Sequence, residues 1–114
     1  MPPSTPLYDL IVGKGFDRYV SGLSSRFARS GLTFTHSYGE ISPDPALVIR
    51  LENDAVVSEL IAWSSGHCDA EALAIDSGRR VYYSHRELES EGDFHQALAD
   101  LTNSITEAEQ VDGE

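Results

Sequence analysis

Cysteine and histidine are the residue types in this chain most able to do chemistry, and it contains one Cys and four His. Cys68 could act as a nucleophile if His36 or His85 served as a base, because a thiol attacks only once it has ionised. No motif supports that pairing, and a thiol that is partly buried or lines a turn explains Cys68 better. A single cysteine also excludes a disulfide within this chain and argues against a thiolate zinc site. We therefore expect no enzyme.

The spacing of the other candidate ligands fits no metal or phosphate motif. His67 and Cys68 are neighbours, and neighbours on a strand point to opposite faces, so the two cannot readily bind one metal. His85 and His95 are ten residues apart with no third ligand in a recognisable pattern. The GKG sequence at residues 13–15 lacks the GxxxxGK[ST] spacing of a phosphate loop and fits a kinked helix start. We expect no metal and no cofactor.

Carboxylates and one aromatic side chain are the groups left for a partner. The acidic residues between 87 and 93 lack the DxDxDG spacing of a calcium loop, and Glu91 and Asp93 suit the first turn of a helix. Trp63, the sole tryptophan, is expected to pack in the core, and an interface hot spot is the alternative. Our candidates for a partner-binding surface are acidic: Glu59, Asp69, Glu71, Glu87 and Glu89.

The acidic charge is the most unusual feature of the composition. The 114 residues include 19 Asp plus Glu against 8 Lys plus Arg, for a net charge of −11. Residues 1–31 are slightly basic, so the negative charge belongs to the rest of the chain. Such a field repels phosphate backbones and anionic lipid and attracts basic proteins. We expect a protein partner, and we expect neither nucleic acid nor a membrane to be bound. An equally weighted alternative is that the negative charge only keeps a small protein soluble.

Length and hydropathy predict one small domain in a reducing compartment. A chain of 114 residues with 40% hydrophobic residues can build a single core, so we expect one domain over residues 1–114. Residues 1–4 and 107–114 are expected to be flexible tails. No apolar run approaches the roughly 18 residues of a spanning helix, and the N-terminus does not resemble a signal peptide. With the single cysteine, these features predict a cytoplasmic protein.

Two amphipathic segments flank the middle of the chain. A helix can start at Thr5-Pro6, and the glycines at 13 and 15 could break it so that it begins properly near Phe16. Its apolar stripe is followed by Gly31 as a C-terminal cap. The second helix starts at Ser90, with Asp93 as a capping partner. The stripes comprise Phe16, Tyr19, Val20, Leu23 and Phe27 in the first helix, and Phe94, Ala97, Leu98, Leu101 and Ile105 in the second.

Short apolar runs separated by turn sequences predict a β-meander between the helices. The clearest strands cover residues 47–52, 56–63, 70–75 and 81–84, and the turns are Asn53-Asp54, SSG at 64–66 and DSG at 76–78. Residues 32–38 could form a short edge strand. The predicted fold class is α+β, an antiparallel meander of about four strands flanked by an N-terminal and a C-terminal helix (α-β-β-β-β-α), with helices on one face.

The sequence IAWSSGHCDAEAL at residues 61–73, followed by DSG at 76–78 and the run at 82–88, resembles the WxSGxxDxExL…DxG signature of TriTu-family immunity proteins of bacterial polymorphic toxin systems. The layout of helix, meander and amphipathic helix is also similar, although residues 1–45 match in layout only. The resemblance implies a cytoplasmic antidote that binds and blocks a co-produced toxin delivered between competing bacteria. It implies no catalysis.

The acidic charge would suit a toxin with a basic active-site cleft, such as a nuclease. A specific chaperone or adaptor for a secreted effector is the alternative interpretation. The sequence does not predict which toxin is bound, how it is inhibited or the oligomeric state.

Overall fold

A five-stranded antiparallel meander forms the middle of the chain in the computed structural model, which describes residues 6–39 and 44–112. Each strand pairs with the next one along the sequence. Three α-helices accompany the sheet within these described residues. The strands are β1 (Thr33–Tyr38), β2 (Ala46–Glu52), β3 (Val56–Trp63), β4 (His67–Ala74) and β5 (Arg80–Glu87), and the helices are α1 (Tyr8–Ile11), α2 (Asp17–Arg29) and α3 (Glu91–Asp112).

This architecture confirms the predicted α+β class, with helices flanking a meander. The meander has five strands where about four were predicted, because residues 33–38 pair along their whole length with β2. The first helix is divided in two, and α2 begins next to Phe16, as the glycines suggested. The GKG sequence is the tight turn between α1 and α2, where a Cβ on Gly15 would lie 2.7 Å from the backbone oxygen of Asp9. The proposed start at Thr5 lies outside the described residues.

The core lies between one face of the sheet and the helices. Along β3 and β4 every second residue is buried, which is the pattern of strands with one covered face. Strand β4 contributes small residues to that face, among them Ala70 and Ala72, and these leave room for the larger side chains of α3. The largest fully buried side chains are Phe16, Phe27, Phe94, Leu7, Leu10, Leu47, Ile49, Leu51, Leu60, Leu98, Leu101 and Ile105.

Helix α3 is tied to the sheet by polar contacts as well as by packing. Arg86 in β5 donates from Nη2 to Asp100 Oδ2 at 2.6 Å, and Gln96 donates to the other oxygen of Asp100 at 2.9 Å. The hydrogen bond from Arg86 lowers the pKa of the Asp100 carboxyl below its ordinary value. At the start of the helix, Ser90 Oγ accepts from the N–H of Asp93. The Asp93 carboxylate accepts from the N–H of Glu89, one residue before the N–H that a standard capping box uses.

The turn between β3 and β4, Ser64-Ser65-Gly66, is hydrogen-bonded to three other parts of the fold. Asp44 accepts hydrogen bonds from the hydroxyls of Ser64 and Ser65 and from the Ser65 N–H. The N–H of Leu7 donates to the oxygen of Ser64, and the N–H of Leu88 donates to the oxygen of Gly66. The turn therefore holds the entry to β2, the N-terminal segment and the exit from β5 together.

The carboxyl of Asp44 is stabilised in its charged form by this turn. Partial burial alone would raise its pKa, but the hydrogen bonds from Ser65 and Ser64 together outweigh that effect, and the net pKa lies below the ordinary value. The contact between Asp44 and the turn therefore contributes stability at neutral pH that is lost as the carboxyl is protonated in acid.

Gly66 is expected to tolerate no side chain. Its φ is +110°, and a Cβ there would lie 2.5 Å from the backbone oxygen of Leu88. We expect Gly66→Ala to lower the free energy of unfolding by about 3 kcal/mol, because alanine is strained at this φ and its Cβ would clash with the backbone. Gly78→Ala is the matched control, since Gly78 also has a positive φ of +70° but faces open space, and should cost about 1 kcal/mol. Urea unfolding measures both, and equal losses would contradict this account of the turn.

Candidate functional site

The second face of the sheet is not covered by any of the helices in the described part of the chain. The outward residues of the strands alternate with the buried ones, and they lie on the side away from α2 and α3. We call this surface the open face. Its central members are Thr35, Val48, Arg50, Val57, Glu59, Ile61, Trp63, His67, Asp69, Glu71, Leu73, Tyr83, His85 and Glu87.

Strand register arranges these side chains in rows across the sheet. One row runs through Thr35, Arg50, Glu59, Glu71 and Tyr83, each directly opposite the next. Because facing side chains on neighbouring strands stand about 5 Å apart, members of one row contact each other. The rows therefore place residues that are far apart in sequence on one continuous surface.

A second row runs parallel to the first through Ser37, Val48, Ile61, Asp69 and His85. Apolar and charged side chains are thus interleaved across the middle of the face. Together the two rows present apolar and charged side chains, and a protein partner would contact both.

Four of the five acidic candidates meet on the open face. Glu59 and Glu71 are direct register partners, Asp69 lies in the next row, and Glu87 lies in the row beyond that. Glu89 is not part of the sheet. It is an exposed residue of the short link between β5 and α3.

Each of the four candidate carboxylates on the open face is paired with a basic side chain from a neighbouring strand. Arg50 Nε lies 2.8 Å from Glu59 Oε2, and Arg80 Nη2 lies 2.9 Å from Glu71 Oε2. Histidines hold the other two: His67 Nδ1 lies 2.9 Å from Glu87 Oε1, and His85 Nδ1 contacts Asp69 Oδ1. The carboxylates are 38% to 71% exposed, so these are solvated pairs on a surface of mixed charge.

Trp63 ends β3 on the open face. It follows the buried Ala62 in a strand whose buried and less buried residues alternate, so its side chain lies on the side away from the helices. The side chain is partly buried. This placement favours the interface interpretation of Trp63 over packing between sheet and helices.

The open face contains a groove with an apolar floor and charged walls. Its volume is about 570 Å³. The apolar lining comes from Val57, Ile61 and Leu73, with Tyr83, itself 52% exposed, at one side. The charged lining comes from the residues around them: Arg50, Glu52, Glu59, Asp69 and Glu71.

Cys68 lies on the other side of the sheet. It is 1% exposed in the core, and burial raises the pKa of its thiol to about 11. His85 lies on the open face, and His36 lies in β1, with β2 and β3 between it and the thiol. His36 instead packs against Phe34 and lies 3.6 Å from Asp17. The structure therefore does not bring Cys68 together with either imidazole that the sequence suggested.

The structure does bring together three ligand-type side chains that sequence reasoning missed. One ligand atom from each of His67, His85 and Glu87 lies within 4.8 Å of the other two. The grouping depends on the register of β4 with β5, which places His67 opposite Glu87 and Asp69 opposite His85. Counting the register back from the DSG turn at residues 76–78 would not have revealed it, because a β-bulge at Ala72 and Leu73 shifts the pairing by one residue.

The comparisons with known proteins identify the family. The family model of the immunity protein TriTu matches residues 14–104, which include α2, all five strands and most of α3. The chain is thus an immunity protein by family, and it belongs to the TriTu family. No curated protein matches the chain. None of the described helices is long and apolar enough to cross a membrane.

The exposed ion pairs of the open face are expected to contribute little to folding. Glu59→Gln and Glu71→Gln should each change the free energy of unfolding by about 0.5 kcal/mol or less, because both partners are solvated. Asp100→Asn breaks the more buried contact with Arg86 and should cost about 1 kcal/mol. Urea unfolding of the three variants tests this order. A larger loss for either glutamate variant than for Asp100→Asn would mean that the open face is a structural element.

Proposed function

We propose that this protein neutralises a cognate toxin domain by forming a stoichiometric complex with it through the open face. The observation that carries the proposal is an uncovered sheet face, in a member of an immunity family, on which four of the five acidic candidates lie together with Trp63. Inhibition by binding needs no catalysis by this chain, and the buried, protonated Cys68 supplies no nucleophile. The chain has a single cysteine, which suits a reducing compartment, so we propose that the protein acts in the cytoplasm.

The dimensions of the open face suit a protein partner. Five strands spaced about 4.8 Å apart and about eight residues long give a projected area on the order of 500 Å². A standard interface buries about 800 Å² on each partner, so the open face would supply most of one and residues at its rim would supply the rest. An apolar centre around Ile61 with charged residues outside it also has the layout of such interfaces.

The charge of the open face suits a partner with a basic surface. The open face carries more carboxylates than arginines. The carboxylates are Glu52, Glu59, Asp69, Glu71 and Glu87, and the arginines are Arg50 and Arg80. Because the existing pairs are solvated and weak, a lysine or arginine of the partner can replace Arg50 or Arg80 at small cost. A basic active-site cleft, as in a nuclease, has the complementary charge, and the net charge of −11 would speed association.

Protection of growth tests the function itself. We expect co-expression of this chain to restore growth of bacteria that express the toxin domain encoded beside it. Cys68→Ala should protect equally well, because the thiol has no role in binding. A chaperone or adaptor would instead raise the solubility or export of the effector and leave its activity intact. Failure to protect, with the complex nonetheless formed, would contradict the proposal.

Association kinetics test the open face as the interface. The double variant Glu59→Lys and Glu71→Lys should slow association with the toxin domain about tenfold at low salt and reduce the salt dependence of the rate. The matched control is Asp76→Lys with Glu107→Lys, which makes the same change in net charge at two exposed positions off the open face. Stopped-flow mixing at several salt concentrations measures both rates. Equal slowing in the two variants would assign the effect to net charge alone and would contradict an interface on the open face.

A further inference from the structure

Two histidines and a glutamate meet at the end of the open face where β4 begins and β5 ends. His67 lies opposite Glu87, and His85 lies one pair further along, opposite Asp69. The two rings are diagonal neighbours, with centroids 6.1 Å apart and planes 25° from parallel. Side chains of this length on diagonal positions of a sheet can reach a common point.

We propose that His67, His85 and Glu87 form a binding site for a divalent transition-metal ion, and that Zn²⁺ fits the site best. Two imidazoles and a carboxylate are a known zinc ligand set, with bonds of about 2.0 to 2.2 Å. Tetrahedral geometry at such bond lengths places ligand atoms about 3.3 Å apart. The three ligand atoms already lie within 4.8 Å of each other, so rotation of exposed side chains closes the site without moving the strands. The fourth position is left for water.

Asp69 is placed to position one of the ligands. Its Oδ1 contacts Nδ1 of His85, which leaves Nε2 of that ring for a metal. A carboxylate on the second nitrogen of a metal-binding imidazole fixes the orientation of the ring and makes it a better ligand. Asp44, at the adjacent turn, lies close enough to His67 for their charges to interact. Three carboxylates around two imidazoles give this end of the face a potential that attracts a cation.

The ion pairs of the open face differ in whether their basic partner can bind a metal. In the middle of the face Glu59 and Glu71 are paired with arginines, which stay protonated and cannot ligate a metal. Where β4 begins and β5 ends, the partners are imidazoles, which can release a proton and bind a metal. The sequence predicts no metal here because no single strand carries two of the three ligands in a known motif. Pairing of β4 with β5 supplies the set instead.

Zinc titration of the purified full chain, with any affinity tag removed, tests the site without the toxin. Isothermal titration calorimetry with ZnCl₂ should show one ion bound per chain. His67→Gln and Glu87→Gln should each weaken binding at least tenfold, because each removes one of three ligands. Glu89→Gln is the matched control for Glu87→Gln, since it removes the same charge two residues further along, outside the site, and should bind zinc as the unaltered chain does.

Circular dichroism of each variant checks that the substitution at an exposed position leaves the fold intact. Absence of saturable zinc binding to the unaltered chain would overturn the proposal. Binding that is equal in Glu87→Gln and Glu89→Gln, or unchanged in His67→Gln, would overturn it as well, because the zinc would then be held elsewhere.

Discussion

Burial of one face of the meander, and of one face only, is the constraint on which the rest of this structure depends. The apolar side chains of β2 and β3 alternate in register, so Leu47, Ile49 and Leu60 fall on the same side and are sealed by the helices. The same alternation sends Glu59, Ile61 and their neighbours to the other side. A shift of one residue in any pairing would exchange the two sets. Core and candidate interface are therefore specified by one register.

The residues that carry the family resemblance have a structural explanation. The WSSG sequence is the turn in which Ser64 and Ser65 hold Asp44, while Gly66 allows the close approach of Leu88. These contacts fix the end of β3 against the start of β4, and with it the register across the centre of the sheet. The signature thus sets the positions of the side chains on the open face. The signature also supplies part of the surface available to a partner, because its Trp63, Asp69, Glu71 and Leu73 lie on the open face.

Much of the fold could be predicted from local patterns. An apolar run between two turn sequences predicted β3 at the residues where it lies, and two apolar stripes with Ser90 and Asp93 as capping partners predicted α2 and α3. Strand β4 was predicted to start at residue 70 but starts at His67, because its first residues carry no apolar alternation and are held by pairing with β5.

The arrangement of the candidate site could be predicted less well from the sequence. Acidic residues could be named, but their arginine and histidine partners and the grouping of His67 with Glu87 arise from register between strands, which is not a local property.

The open face is the surface on which we propose that the toxin domain binds. Trp63 is the only tryptophan in the chain and lies on that face, so 5-fluorotryptophan incorporation places a single ¹⁹F label there. The measurement is the ¹⁹F spectrum before and after addition of unlabelled toxin domain, with the complex confirmed by its mass. If the toxin domain binds the open face, the resonance of Trp63 shifts or broadens in proportion to the complex formed. An unchanged resonance in a fully formed complex would show that the toxin binds elsewhere and would contradict that proposal.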